Sequence, residues 1–232
     1  MAKRHMKRQS APKQWRIERK GTKFIVRPNA GKKFSLSLPL ALVFKEYLGY
    51  AKTTKEVNNI LQDKEIIVDG KRRKDKRYSV GFMDVLSIPV AKEDFRMLID
   101  DKGKLFLLPI DKEESGVKVC KIANKNTINK EIVQINFSDG RNIRIKKSDD
   151  KFKVGDSVKI KLSPKQEIVD HLAFEKGCFV FLVGGKHIGK KGSLEKIDKN
   201  YIEVKAGDNV FITDKKYAYV LGKEKSEIKL DA

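Results

Sequence analysis

Apolar residues along this chain recur first with the period of a helix and then with the period of a strand. Leu40, Val43, Phe44, Tyr47 and Leu48 fall at i, i+3, i+4, i+7 and i+8, which is one helical face. Ser37 stands at the N-cap position of that helix, Pro39 suits its first turn and Gly49 ends it. A second helix follows, with Thr53 and Glu56 at capping-box spacing and Val57, Ile60 and Leu61 as its apolar stripe. Two short helices joined by a few residues predict a hairpin. The chain then turns to strands. Ile66 to Val68 runs into Asp69-Gly70, a strong turn signal, and Val85 to Ile88 is stopped by Pro89. Beyond residue 94 short apolar runs flank turns at Asp100–Lys104 and Ser138–Gly140. Alternation at Val158, Ile160 and Leu162 gives another strand. Cys178 to Val183 is a near-continuous apolar run, the mark of a strand buried on both faces. Tyr201–Val204, Val210–Ile212 and Tyr217–Leu221 complete the set, and Lys223–Ala232 reads as a tail free to fray. The pattern predicts an α+β, mostly β fold, built of small barrels rather than one large sandwich.

Charge changes this picture. The 232 residues carry 52 Lys or Arg against 31 Asp or Glu, a formal net charge of +21. So large a surplus repels itself in a compact state and calls for a polyanionic partner. No apolar run is long enough to span a membrane, and no apolar segment follows the basic N-terminus as in a secretory signal. Nucleic acid is therefore the leading partner. Twelve of the cations lie in residues 1–33 with a single acid, Glu18. Such an arm has too little apolar surface to order itself, so it is expected to be disordered or extended until it meets its partner. Trp15, the only tryptophan, either packs on the body or stacks on a base. Cys120 and Cys178 have neither CxxC nor zinc spacing and read as buried, reduced thiols.

Three segments carry candidate chemistry. The arm supplies Lys3, Arg4, His5, Lys7, Arg8, Lys13, Trp15, Arg16, Arg19, Lys20, Lys23, Arg27, Lys32 and Lys33. After the Asp69-Gly70 turn come Lys71, Arg72, Arg73, Lys74, Lys76 and Arg77, six cations in seven residues. Arg meets phosphate with a planar fork and Lys with a mobile point charge. The competing reading is a solvated charge run that guards an edge strand. The third segment, Gly184 to Gly192, presents Lys186, His187, Lys190 and Lys191 between two strands. It matches most of a phosphate-binding loop, but Lys191 stands where a Ser or Thr must hold magnesium, and a strand follows where a helix is needed. A glycine turn that lets a backbone approach RNA fits better, with a plain structural turn as the alternative. His171, among Val169, Leu172 and Phe174, reads as structural. The three histidines have no metal spacing, and there is no Ser-His-Asp arrangement or dinucleotide loop. No catalytic residue, cofactor or metal site is expected.

The arm HMKRQSAPKQWRIERKGTKFIVRPNAG resembles the N-terminal signature of the ribosomal protein S-four-e family of the archaeal and eukaryotic small subunit. SLPLALVFKEYLGYAKTTKEVNNILQDKEIIVDGKRRKDKRYSVGFMDVLSIP resembles that family's alpha-L type RNA-binding domain, and GCFVFLVGGKHIGKKGSLEKI resembles a KOW turn of an SH3-like barrel. The resemblance implies a basic arm over 1–36, the alpha-L domain over 37–92 and a central β domain over 93–173. A KOW barrel over 174–222 and a tail over 223–232 complete the order. It also implies a non-catalytic, cytoplasmic, ribosome-associated protein, whose partners are small-subunit ribosomal RNA and neighbouring subunit proteins, with no membrane and no small-molecule substrate; the length and the arm lean towards an archaeal source. Two other classes share a module with it. An RNA-modifying enzyme with an alpha-L module needs an Arg-Leu-Asp catalytic segment, which this chain lacks. A KOW-class transcription elongation factor does not need the alpha-L module.

Overall fold

The computed structural model describes residues 5–162, 166–207 and 209–230. The fold is mostly β with few helices, in two compact units: Met1–Leu98 with Lys104–Gly116, and Ile99–Gly103 with Val117–Ala232.

In the first unit the arm is folded, against the expectation of a disordered or extended segment. Strand β1 (Met6–Lys7) pairs antiparallel with β2 (Phe24–Ile25), and the Arg8 amide bonds the Lys23 carbonyl at 3.0 Å. Trp15 is 1% exposed and its ring lies 5.6 Å from that of Phe34. Of the two readings of Trp15, packing is the one found. A single large aromatic supplies the apolar area that the arm otherwise lacks, and this anchors a segment whose composition reads as unfolded.

Strand β3 (Ser37–Pro39) pairs with β6 (Ser79–Gly81), so Ser37 is not an N-cap. Helix α1 (Leu40–Leu42) starts one residue after Pro39 and runs on as a π-helical turn over Val43–Tyr47, closed by the Leu48 amide on the Val43 carbonyl at 2.9 Å. Gly49 stops it at φ +70°. The apolar period placed the helix correctly but could not show the wider turn, because the buried Leu40, Val43 and Phe44 serve either geometry. Helix α2 (Thr54–Asp63) has the capping box that the spacing predicts: the Thr53 Oγ1 accepts from the Glu56 amide at 3.2 Å, and the Glu56 carboxylate accepts from the Thr53 amide. Thr53→Ala is expected to cost about 1 kcal/mol, read as a lower urea midpoint at unchanged slope.

Strand β4 (Ile67–Val68) and β5 (Lys71–Arg72) close a two-residue hairpin on Asp69 (φ 52°) and Gly70 (φ 74°). Positive φ at both centres is the geometry that an Asp-Gly pair favours. Strand β7 (Val85–Ile88) joins β4, and β8 (Glu93–Ile99) and β9 (Leu105–Ile110) extend the sheet to the order β5-β4-β7-β8-β9. The expected boundary between residues 92 and 93 therefore falls at the start of a strand that belongs to the same sheet. The short helix α3 (Lys112–Ser115) follows. Its Glu114 accepts from the buried Arg96 guanidinium at 3.0 Å, whose pKa burial lowers.

The second unit holds two five-stranded sheets. One has the order β12-β11-β10-β13-β14, from β10 (Val117–Asn129), β11 (Ile132–Phe137), β12 (Asn142–Lys146), β13 (Ser157–Lys161) and β14 (Glu167–Leu172). Its inner face buries Ile122, Ile135, Phe137, Val158 and Ile160. The other sheet has the order β18-β17-β16-β15-β19. Its strands are β15 (Phe179–Leu182), β16 (Lys191–Ile197), β17 (Tyr201–Ala206), β18 (Asn209–Asp214) and β19 (Ala218–Gly222). The Tyr219 hydroxyl ties the two sheets, donating to the Val119 carbonyl at 2.7 Å and accepting from the Lys121 amide at 3.1 Å. Burial pushes that phenol well above its ordinary pKa. The tail is anchored at Glu227 and Ile228. Ile228 is buried, and Glu227 pairs with Lys159 at 3.2 Å, so the expectation of fraying does not hold for Lys223–Leu230. Both cysteines are buried free thiols, and burial pushes Cys178 up to about 11. No helix among the described residues is long and apolar enough to cross a membrane.

Candidate nucleic-acid interface

Backbone pairing brings the arm and the basic turn of the first unit together. The Asn29 amide bonds the Arg77 carbonyl at 2.8 Å, and the Asn29 side chain donates to Asp75 at 2.6 Å. The Arg77 guanidinium donates to the Arg27 carbonyl at 3.3 Å. Two cationic segments some forty residues apart in sequence thus share one edge of the unit.

Within that surface the cations divide by what they touch. Lys7, Lys13, Arg16, Lys20, Lys23, Arg27, Lys33, Lys71, Arg72 and Lys74 are exposed; among them Arg72 also donates to the Gln62 carbonyl at 3.0 Å, and Arg27 lies 6.0 Å from the Phe34 ring centre. His5 is exposed too, its ring 5.8 Å from Phe24. Others serve the fold. Arg8 is buried, donating to the Glu46 carboxylate at 2.7 Å and the Glu18 carbonyl at 2.6 Å. Arg19 bonds the carbonyls of Ala11 and Pro12 at 2.6 and 2.8 Å. Lys32 reaches inward to the buried carboxylates of Asp84, in direct contact, and Asp69, at 4.0 Å. Arg73 stacks 4.2 Å from the Tyr78 ring centre, and Lys76 and Arg77 are half-buried. Of the candidate RNA contacts, Arg8, Trp15, Arg19 and Lys32 are thus the ones that turn to internal partners. A basic residue in a run looks the same in sequence whether it caps a carbonyl or faces water. Lys3 and Arg4 lie outside the described residues.

The glycine turn of the second unit is a tight β15–β16 connection. Gly184 lies under the Tyr217 ring, where an added Cβ would sit 2.5 Å from it, and Gly185 adopts φ +81°. Gly189, at φ +88°, brings its backbone against that of Asp100, where an added Cβ would have no room. Each of these positions demands glycine, through close approach at all three and positive φ at two. Lys186 is exposed, and Lys190 and Lys191 are half-buried. The His187 ring sits 4.5 Å from Phe211, and the Lys190 ammonium lies 3.9 Å from the same ring centre. Desolvation, with Lys190 and Lys186 adding to it, lowers the His187 pKa. At neutral pH the imidazole is thus an uncharged ring, better suited to stacking than to phosphate pairing. The sequence reading missed Phe211. It lies some twenty residues downstream, and only the β16–β17–β18 meander carries it back to the turn. Phe211→Ala is expected to weaken single-stranded RNA binding by about 1–3 kcal/mol, measured by fluorescence anisotropy at constant salt. His171 is structural, as expected: its Nε2 lies 2.7 Å from Asp156, and its ring meets Phe152 edge-on.

Comparison with known proteins bears on these surfaces. A model of the RS4NT (NUC023) domain matches residues 2–31, and a model described as ribosomal family S4e matches residues 91–168. The small ribosomal subunit protein eS4 of Methanothermobacter thermautotrophicus is 40% identical over 238 residues, covering 99% of this chain and 96% of its own. That of Methanocaldococcus jannaschii is 41% identical over 241 residues, with 98% of each chain covered. The crystal structure of the 30S ribosomal protein S4e from Thermoplasma acidophilum superposes with a TM-score of 0.70 at 28% identity, covering 81% of this chain and 96% of that one.

Proposed function

This chain belongs to the ribosomal S4e family, and on that premise we propose that it is a structural, non-enzymatic constituent of the small ribosomal subunit that holds ribosomal RNA through its folded cationic edge. The observation that carries the RNA reading is the joining of the arm to the 71–77 turn, which gathers exposed lysines and arginines from two segments into one array. Laid against RNA phosphates, the cations of that array displace condensed counterions, and the gain grows with each neutralised charge. We also read residues 37–92 as an alpha-L type module, supported by the α1–α2 pair followed by the β4–β5 hairpin, whose Arg72 bonds the Gln62 carbonyl of α2, and residues 174–222 as a KOW-type SH3-like barrel, supported by its five antiparallel strands and glycine turn. In that reading the aromatic pair His187 and Phe211 gives the barrel a platform for an unpaired base, with Lys186 and Lys190 beside it for the backbone. Small-subunit proteins bound to the same RNA are the remaining partners, and the ribosome of the cytoplasm is the location that follows.

The test is sedimentation. Tagged protein expressed in its own cells is expected to run with the small subunit in one-to-one ratio after a high-salt wash, and purified protein is expected to bind a transcript of small-subunit RNA. Protein that stays at the top of the gradient and ignores the transcript would overturn the proposal.

A further inference from the structure

We infer that the outer face of the β10–β11–β12 sheet is a second RNA contact, one that reads ribose hydroxyls and base edges through side-chain amides rather than phosphates through charge. It rests on the reading that the chain binds RNA and names a surface remote in sequence from the arm, the 71–77 turn and the glycine turn.

The register assembles this face. Asn124 pairs with Asn136, which pairs with Asn142, and Asn126 pairs with Gln134, which pairs with Arg144. Residues paired across antiparallel strands point to the same side. The result is a grid of two rows and three columns with five amides and one guanidinium. The opposite side of the same strands carries Ile135, Phe137, Ile143 and Ile145 into the core, so the grid faces outward. The outer-strand members are exposed, and those on the central strand are half-buried by their neighbours.

Asparagine is depleted in strands because its side chain competes for backbone hydrogen bonds. Five amides on three strands therefore weaken the sheet without adding to its core. Few of their hydrogen-bonding positions are used: Asn124 donates to Asn126 at 3.4 Å and accepts from the Lys125 amide at 2.8 Å, and Gln134 donates to Asn136 at 2.8 Å. A primary amide has two donors and a two-lone-pair acceptor, so most of this capacity faces outward. Two irregularities in the β10 register, between Ile122 and Asn124 and between Thr127 and Asn129, twist the strand.

The chemistry selects the occupant. A protein partner would be met by an aromatic or aliphatic centre. The grid has none. An RNA minor groove is wide, shallow and lined with 2′-hydroxyls that donate and accept, which matches a flat field of amides. Arg144 and the exposed Lys146 on the same strand meet the flanking phosphates.

The test compares a small-subunit RNA transcript with the same transcript made from 2′-fluoro pyrimidines, which keeps the phosphates and removes hydroxyls. Wild-type protein is expected to prefer the native transcript. Asn126→Ala/Gln134→Ala/Asn136→Ala removes no charge. It should lower affinity for the native transcript on the order of tenfold, abolish the preference and leave the salt slope intact. If that variant unfolds, Asn126→Asp/Gln134→Glu keeps the shapes, and its repulsion of phosphate should give a larger loss. Variants that fold, bind and discriminate like wild type would overturn the inference while the RNA reading stands. So would normal RNA binding combined with failure to join the assembled subunit, which would assign the face to a protein. Wild-type protein that binds neither transcript would overturn the RNA reading itself, and this face with it.

Discussion

Replacing Lys20, Lys33, Lys71 and Lys74 together with glutamine is expected to cut affinity for small-subunit RNA on the order of a thousandfold at 0.1 M salt. All four are exposed, and none forms an ion pair among the described residues. Each phosphate neutralised on a single strand contributes about 0.7 to the slope of log affinity against log salt, so four lost contacts flatten it by about 3. Carried from 1 M to 0.1 M salt, that slope is the expected loss. Stability should barely change, because surface charges without partners are worth little to a fold and their removal relieves self-repulsion. Filter binding across a salt series, with thermal unfolding as the control, measures both. An unchanged slope would remove these lysines from the interface.

The converse is expected of Lys32→Met. The Lys32 side chain is about 11% exposed and reaches Asp84 (0%) and Asp69 (1%). Those carboxylates also hold the backbone, Asp84 accepting from the Gly81 amide at 2.5 Å and Asp69 from the Val85 amide at 2.9 Å. Removing the cation leaves two buried carboxylates with one positive partner fewer. Breaking a buried pair in this way costs about 3–5 kcal/mol, a large share of the stability of a small unit. Urea unfolding is the direct readout. RNA affinity measured well below the melting point should stay within about a factor of two, since Lys32 faces the buried carboxylates and no phosphate contact is lost. A variant of normal stability and reduced affinity would return Lys32 to the interface. The contrast between the two experiments tests the division of the arm into cations that face solvent and cations that hold the arm down.

That division marks where reading the sequence stops. The helices around Leu40–Leu48 and Thr54–Asp63, the Asp69-Gly70 turn and strands such as Val85–Ile88 were legible because each shows in a residue pattern only a few positions long. Strand β10 was not legible. Lys118, buried against Asp139 at 2.7 Å, and the exposed amides of its outer half hide the alternation that a strand should show. The arm was misread for a related reason. Its composition lacks a core of its own, yet Trp15 and the internal bonds of Arg8, Arg19 and Lys32 order it.

By itself the sequence determined the sign and amount of charge, the places where cations crowd, the local elements and their turns, and a family resemblance along nearly the whole chain. Only the tertiary structure decided which cations are spent on buried carboxylates and carbonyls, that the arm meets the 71–77 turn, that Phe211 returns to His187, and that five amides from three strands share a face. Charge and local period belong to residues near one another along the chain. Partnership and facing are set by register between segments distant in sequence, and no short-range pattern encodes that register.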